Sequence, residues 1–406
     1  MVTEQGGDTG ALASSSAGEV FRAFLRLGLT SFGGPVAHIG YFRDEFVERR
    51  RWLDERAYAD LVALCQFLPG PASSQVGLSI GLLRAGYAGA LAAWLGFTLP
   101  SAIALTLFGY GVHTAGNSLG GGWLHGLKLA AVAVVAQAVL GMMRTLAPDR
   151  ERASLAVVAT VIVTAMPSAL GQIGAIAAGG IVGLIWLRDD SQPGQTVLQI
   201  TLSRRAAAVA LTLFFALLIG LPLAVASTGN QALALFEAFY RTGSLVFGGG
   251  HVVLPLLKAA VVSPGWVSDD AFLAGYGAAQ AVPGPLFTLA AYLGTVMQPQ
   301  PSGWVGALIA LVGIFLPSFL LIVGTLPFWQ AVRRRAGVQA ALRGVNAAVV
   351  GLLLAALYNP VWTSGVTGAA EFALACTAFL LLYMWTVPPW LVVVFCAIGG
   401  EVIARL

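Results

Sequence analysis

Thirteen apolar stretches follow one another along the chain with few charges inside them, and this succession narrows the fold more than any single motif. They cover about 20–40, 58–83, 86–112, 122–144, 153–168 and 170–187, then 206–226, then 232–250, 270–297, 303–326, 340–358, 371–387 and 389–405. Runs near 20 apolar residues match a helical bilayer crossing. In hydrocarbon, a helix pairs every backbone group within one segment. The sequence is 58% hydrophobic and 10% charged, whereas a soluble domain carries about 25% charged residues. A soluble fold this apolar would lack the polar surface to cover itself. The expected class is an all-α polytopic membrane protein with the lipid bilayer as its surroundings. The net charge of +4 does not indicate nucleic acid, because the arginines cluster between apolar runs, as in cytoplasmic loops.

Two of the stretches are broken. "QFLPGPASS" (66–74) and "QAVPGPLFT" (280–288) each carry Pro-Gly-Pro three residues after a glutamine, and proline cannot sit undisturbed inside a helix. The recurrence belongs to a wider duplication. "FRAFLRLGLTSFGG" (21–34) matches "FEAFYRTGSLVFGG" (236–249) at an offset of 215; Trp52, Gln66 and Pro69 match Trp266, Gln280 and Pro283 at 214. "FTLPS" (97–101) matches "IFLPS" at 217, and "LHGLKLAA" (124–131) matches "LRGVNAA" at 218. The order is kept over nearly the whole chain, the construction of many secondary transporters. The expected organisation is a polar tail (1–18) without signal-peptide features, a first repeat (19–187), a linker with one extra helix (188–230) and a second repeat (231–406).

Corresponding loops differ in charge. The loop after the first stretch has Arg43, Arg49, Arg50, Arg51 and Arg56, whereas its partner has Lys258 with two aspartates. Arg144, Arg150 and Arg152 mark another loop whose partner has no Lys or Arg, and "HTAGNSLGGG" has none while "VRRRAGVQAALR" has four. Matched loops therefore belong on opposite faces, and the halves read as inverted repeats, with 206–226 as the crossing that inverts the second. If the three basic loops share one face, the first two stretches must return to their starting side. They read as broken or re-entrant helices at the FGG and PGP motifs; interfacial helices satisfy the same count.

A break in a membrane helix survives where it is buried or lines a cavity. The helix that restarts there offers free N–H groups and a positive dipole end, an anion site without a cation. The candidate substrate contacts are Phe32, Gly33, Gly34, Pro35 and His38 at the first FGG; Gln66, Pro69, Gly70, Pro71, Ser73, Ser74 and Gln75 at the first PGP; Phe247, Gly248, Gly249, Gly250 and His251; and Gln280, Pro283, Gly284, Pro285 and Thr288. The bland alternative is a set of packing kinks. Arg84, whose matched position holds Gln298, is a further candidate contact. Arg26 and Arg241 match at 215 as a possible charge pair of the repeats, with snorkelling to the interface as the alternative. No carboxylate has a repeat partner of its own type; Asp60, leading into the PGP stretch, stands first for a coupling proton, and the coupling ion is not readable.

On "LGLTSFGGPVAHIGYF", "WLDERAYADLVALCQFLPGPASSQVG", "VFGGGHVVLP" and "GYGAAQAVPGPLFT", the chain resembles the CHR-type chromate ion transporters in their long, two-domain form. The resemblance covers about residues 20 to 406. It implies export of chromate, a tetrahedral dianion similar to sulfate, across the bacterial inner membrane, with chromate resistance as the outcome. An inside-negative potential favours such export. Sulfate or another small anion, and a channel in place of a carrier, stay open, as does a homodimer. No enzyme is expected: there is no CxxC, no GxGxxG after a strand and no HExxH, hence no cofactor and no metal. Cys65, Cys376 and Cys396 read as small hydrophobes.

Overall fold

The computed structural model describes residues 16–115, 121–166, 168–187, 203–247, 252–329 and 335–405. Most of the tail and linker, and Gly248, Gly249, Gly250 and His251, lie outside the described residues. Every described element is helical. In the first half α1 (Ala17–Thr30) and α2 (Gly34–Arg43) meet at the FGG motif, and a π-helical turn, Asp44–Arg49, leads towards α3 (Glu55–Phe67). After the PGP motif come α4 (Ala72–Ala115), α5 (Gly122–Leu146), α6 (Arg150–Ala165) and α7 (Ala169–Trp186). The extra helix is α8 (Arg204–Thr228). The second half has α9 (Gln231–Leu245), α10 (Val253–Leu257) followed by a π-helical turn, Lys258–Val262, then α11 (Asp269–Ala281) and α12 (Leu289–Val296). It closes with α13 (Gly303–Thr325), α14 (Ala336–Ala356), α15 (Ala369–Tyr383) and α16 (Pro389–Ile403). Matched starts use matched caps: Asp54 accepts from Ala57 N at 2.7 Å and Ser268 from Ala271 N at 3.2 Å, each satisfying an orphan helix donor.

α4 is not one rod. Its backbone leaves the helical region at Ala85 (φ −143°) and Gly86 (φ +60°), and the chain doubles back. A methyl on Gly81 would lie 2.3 Å from Gly89 O, although in a straight helix eight residues span about 12 Å. The second half repeats the crossing: a methyl on Gly294, in α12, would lie 2.2 Å from Gly306 O, in α13. Each returning arm ends where its hairpin began. The Arg84 guanidinium lies 5.0 Å over the Trp52 ring, and the matched Gln298 N–H donates to Trp266 O at 2.9 Å. The arm α3, PGP, first part of α4 thus enters and leaves on one side, as does its counterpart.

The long arms cross the middle antiparallel. Trp94, early in the second part of α4, packs on Phe315 and Phe319 of α13, and Tyr110, late in it, accepts from Trp304 N at 3.1 Å. The remaining helices are exchanged between halves. α5 lies on α15 and α16, where a methyl on Gly126 would meet Cys396 O at 2.1 Å; α14 lies on α6 and α7, where one on Gly344 would meet Gly179 O at 2.0 Å. Small residues let membrane helices approach this closely. α8 sits outside this frame, tied by Tyr240 Oη donating to Phe214 O at 3.0 Å, with Val209, Ile219 and Leu223 mostly exposed, as suits a lipid-facing helix.

Because backbone and not a flexible side chain faces Gly81, Gly81→Ala is expected to destabilise the protein by about 1–3 kcal/mol. Gly174→Ala, with nothing within 4 Å of the new methyl, should leave thermal stability in detergent unchanged or slightly raised; equal melting of both variants would show that the crossing relaxes.

Candidate functional site

The breaks of the two halves meet each other. Gly70 N–H, in the first PGP, donates to Val246 O, just before the second FGG, at 2.6 Å; Gly284 N–H, in the second PGP, donates to Ser31 O, just before the first FGG, at 2.9 Å. These bonds are the same bond made twice, once in each direction. Gly70 (φ +120°) and Gly284 (φ +102°) hold left-handed backbone that glycine adopts without strain. Their missing side chains leave room for two further matched residues. A methyl on Gly70 would lie 2.7 Å from Ser318 Oγ and one on Gly284 2.9 Å from Ser101 Oγ. Both serines are fully buried, and each follows a proline inside its helix, Pro317 and Pro100.

Around this crossing the polar side chains are buried and only partly paired. Gln75 Nε2 donates to Pro69 O at 2.6 Å and lies 3.4 Å from Ser318 Oγ; Ser101 Oγ donates to Thr98 O at 3.1 Å. His38 Nδ1 is 3.4 Å from Ser73 Oγ, with its ring edge-on to Phe97. Ser31 Oγ, Ser74 Oγ, Thr98 Oγ1 and Gln280 Nε2 are buried without a hydrogen-bond partner among the described residues. Leaving such groups unmade costs about 1–3 kcal/mol each, so the crossing is poised for a ligand that accepts hydrogen bonds. Two helix starts point the same way: α2 begins at Gly34 with Pro35 in its first turn, and α4 begins at Ala72 directly after Pro71. Free N–H groups at a helix start favour an anion.

A family model described as chromate transporter matches residues 18–184 and again 233–401. A chromate transport protein of Pseudomonas aeruginosa is 31% identical over 82% of this chain and 79% of its own length. A probable chromate transport protein of Synechococcus elongatus is 29% identical over 82% of each. The uncharacterized transporter YwrA of Bacillus subtilis is 30% identical over 43% of this chain and 99% of its own length. The chain belongs to the chromate transporter family. Family and apolar helices together make it a multi-pass protein of the inner membrane. No solved structure matches it.

Within this family member the motif residues fall into three groups. His38, Pro69, Gly70, Pro71, Ser73, Ser74 and Gln75 gather at the crossing with Pro283, Gly284, Pro285, Gln280 and Thr288; the Thr288 hydroxyl donates back to Pro285 O at 2.7 Å. Gly33, Gly34 and Pro35 follow Ser31 at the break, with Gly33 exposed and the other two half-buried. Phe32 and Phe247 are half-buried beside the breaks, Phe32 against Trp390 at 6.2 Å. Gln66 is exposed on α3, although its match Gln280 turns a buried amide inward. Arg84 lies elsewhere: ten helical residues past Ser74, it is about 15 Å from the break and stacks on Trp52 beside Arg50. Arg26 is exposed on α1, and Arg241 is paired with Glu237 at 2.6 Å, so the matched arginines sit in different surroundings. Ser31, Thr98, Ser101 and Ser318 were not among the sequence candidates. "FTLPS" and "IFLPS" marked two of them, as repeat matches rather than as site residues.

Gly284→Ala places a methyl against Ser101 Oγ on left-handed backbone, a conformation costing an alanine about 1–2 kcal/mol before any clash. We expect at least a tenfold loss of anion flux with normal amounts of folded protein in the membrane. Unchanged flux would reduce the PGP turn to a packing feature.

Proposed function

We propose that the protein is a secondary transporter that exports chromate from the cytoplasm, giving chromate resistance, and that it holds the dianion at the crossed breaks. One observation carries this reading: Ser31, Ser74, Thr98 and Gln280 supply buried, unpartnered hydrogen-bond donors around the two strapped PGP turns. A chromate dianion has acceptor oxygens on four sides and no proton to give. Hydroxyls and amides can replace its water without fixing it permanently, as a buried cation would. The starts of α2 and α4 add positive dipole ends. The names of the relatives from Pseudomonas aeruginosa and Synechococcus elongatus favour chromate over its tetrahedral analogue sulfate.

Inversion gives the mechanism its shape. The two PGP arms enter from opposite faces and touch tip to tip, so a small rocking of one half against the other exposes the crossing to either side in turn. The five arginines of the 43–56 loop favour a cytoplasmic position for that loop, the side from which the anion enters, although Arg43, Arg49 and Arg50 are already paired with carboxylates. An inside-negative potential then favours its exit by about 2.3 kcal/mol per charge per 100 mV.

The test is flux of chromate in proteoliposomes under an imposed potential or pH gradient. Saturable flux, competed by sulfate and driven by one gradient, is expected. Gln280→Leu should raise half-saturation roughly tenfold or more, since one hydrogen bond to a charged group is worth about 1.5–3 kcal/mol. No chromate movement under any gradient with folded protein would overturn the reading, and sulfate movement alone would change its substrate.

A further inference from the structure

Arg43 and Lys258 are matched residues 215 positions apart, Arg43 the last residue of α2 and Lys258 the residue that follows α10. Each pairs with the matched first-turn carboxylate of the next helix: Arg43 Nε with Glu55 at 2.9 Å, and Lys258 Nζ with Asp269 at 3.1 Å. Beyond that they differ. Arg43 is also held by Glu48 at 2.7 Å and approached by Asp44 at 3.9 Å, so three carboxylates surround it. Lys258 has Asp269 and the neutral Asn359 Oδ1 at 3.3 Å. The Lys258 side chain is 22% exposed and that of Asp269 46%, so the pair is only partly screened by solvent, with one carboxylate edge open to it.

Lys258 also lines a cavity of about 150 Å³. A single water needs roughly 10–15 Å³ by the same measure, so the space takes a tetrahedral oxyanion with part of its hydration. Both halves build it: Thr164 and Gln172 come from α6 and α7, Ser263 from the loop after α10, and Asn359 from the end of α14. The Gln172 amide is fixed by donating to Pro255 O at 3.1 Å. Lys258 follows α10 directly. The loop charges of the matched segments put this end of α10 on the face opposite the arginine loop.

We infer that this cavity is a second oxyanion station, which receives the anion after it leaves the crossed breaks. This rests on the transport reading above. The oxyanion takes Lys258 Nζ in place of the Asp269 carboxylate, which swings into solvent, and the neighbouring hydroxyls and the Asn359 amide complete its shell. The matched position on the arginine face offers no such exchange, because its cation is already held by three carboxylates. The pathway is thus polarised at two residues that the duplication made equivalent.

Radiolabelled sulfate and chromate are the probes, with half-saturation measured separately from each face in oriented proteoliposomes. Lys258→Gln should raise half-saturation from the Lys258 face about fivefold or more and leave the other face within about twofold. Asp269→Asn removes the competing carboxylate and should lower it about threefold on the same face. Opposite signs from two neighbouring changes are not the result of misfolding. Flux in the unaltered protein with both variants moving the two faces equally, or not at all, would overturn the station and leave the transport reading standing. If the unaltered protein moves neither anion, the transport reading falls. Equilibrium dialysis of sulfate against the purified protein then decides the station alone: binding lost in Lys258→Gln supports it, and binding independent of Lys258 overturns it.

Discussion

Everything in this molecule depends on pairing the backbone where its helices break. An unpaired N–H or C=O in hydrocarbon costs several kcal/mol, and the breaks at the first FGG and at PGP in both halves create such groups. The solution is reciprocal. Gly70 N–H takes Val246 O and Gly284 N–H takes Ser31 O, so each half completes the pairing of the other's PGP turn, while Gln75 and Thr288 satisfy Pro69 O and Pro285 O from within their own halves. Assembly of the halves is then a condition of each half's stability. The exchange of outer helices, α5 onto α15 and α16 and α14 onto α6 and α7, encloses the crossing on both sides.

The strength of this arrangement is unevenly placed. The outer interfaces are backbone on backbone, with glycines such as Gly126 and Gly344 admitting no side chain at all. At the centre the two glycine N–H bonds, each worth about 0.5–1.5 kcal/mol net, join the packing of Trp94 on Phe315 and Phe319, amid hydroxyls and amides of which several lack partners among the described residues. The polar groups there are serine, threonine and glutamine, so these side chains bury no permanent charge.

The sequence carried the frame well and the centre only in part. Apolar run lengths, repeat offsets and breaks located the helices; Arg84 on Trp52 and Gln298 on Trp266 are the contacts that bring the two ends of each PGP arm together. What a linear reading could not supply was which break meets which. The partners Gly70 and Val246 are 176 positions apart, and inversion hides them because matched residues do not touch each other; each touches the match of its neighbour. For the same reason Ser101 and Ser318 were legible as a repeat and not as a site. Arg84 is a candidate in the sequence because charge in an apolar run suggests function; the structure sets it over Trp52 at the outer end of the hairpin.

Duplication followed by inversion fixes shape symmetry and says nothing about charge. The departures between halves are therefore where direction has to come from. Ser73, Ser74 and Gln75 stand opposite Phe287, Thr288 and Leu289, and Arg84 opposite Gln298. Lys128, matched by Asn346, reaches across to Asp270 of the other half at 2.6 Å, so one face has an ion pair between halves for which the matched asparagine has no charge. A carrier with two identical faces would bind its anion equally from both. Here one face gathers five arginines in a loop already laced with carboxylates, and the other presents Lys258 and Lys128 against two neighbouring aspartates. The symmetry of shape is thus not a symmetry of charge, and these unmatched residues are where the two ends of the molecule differ.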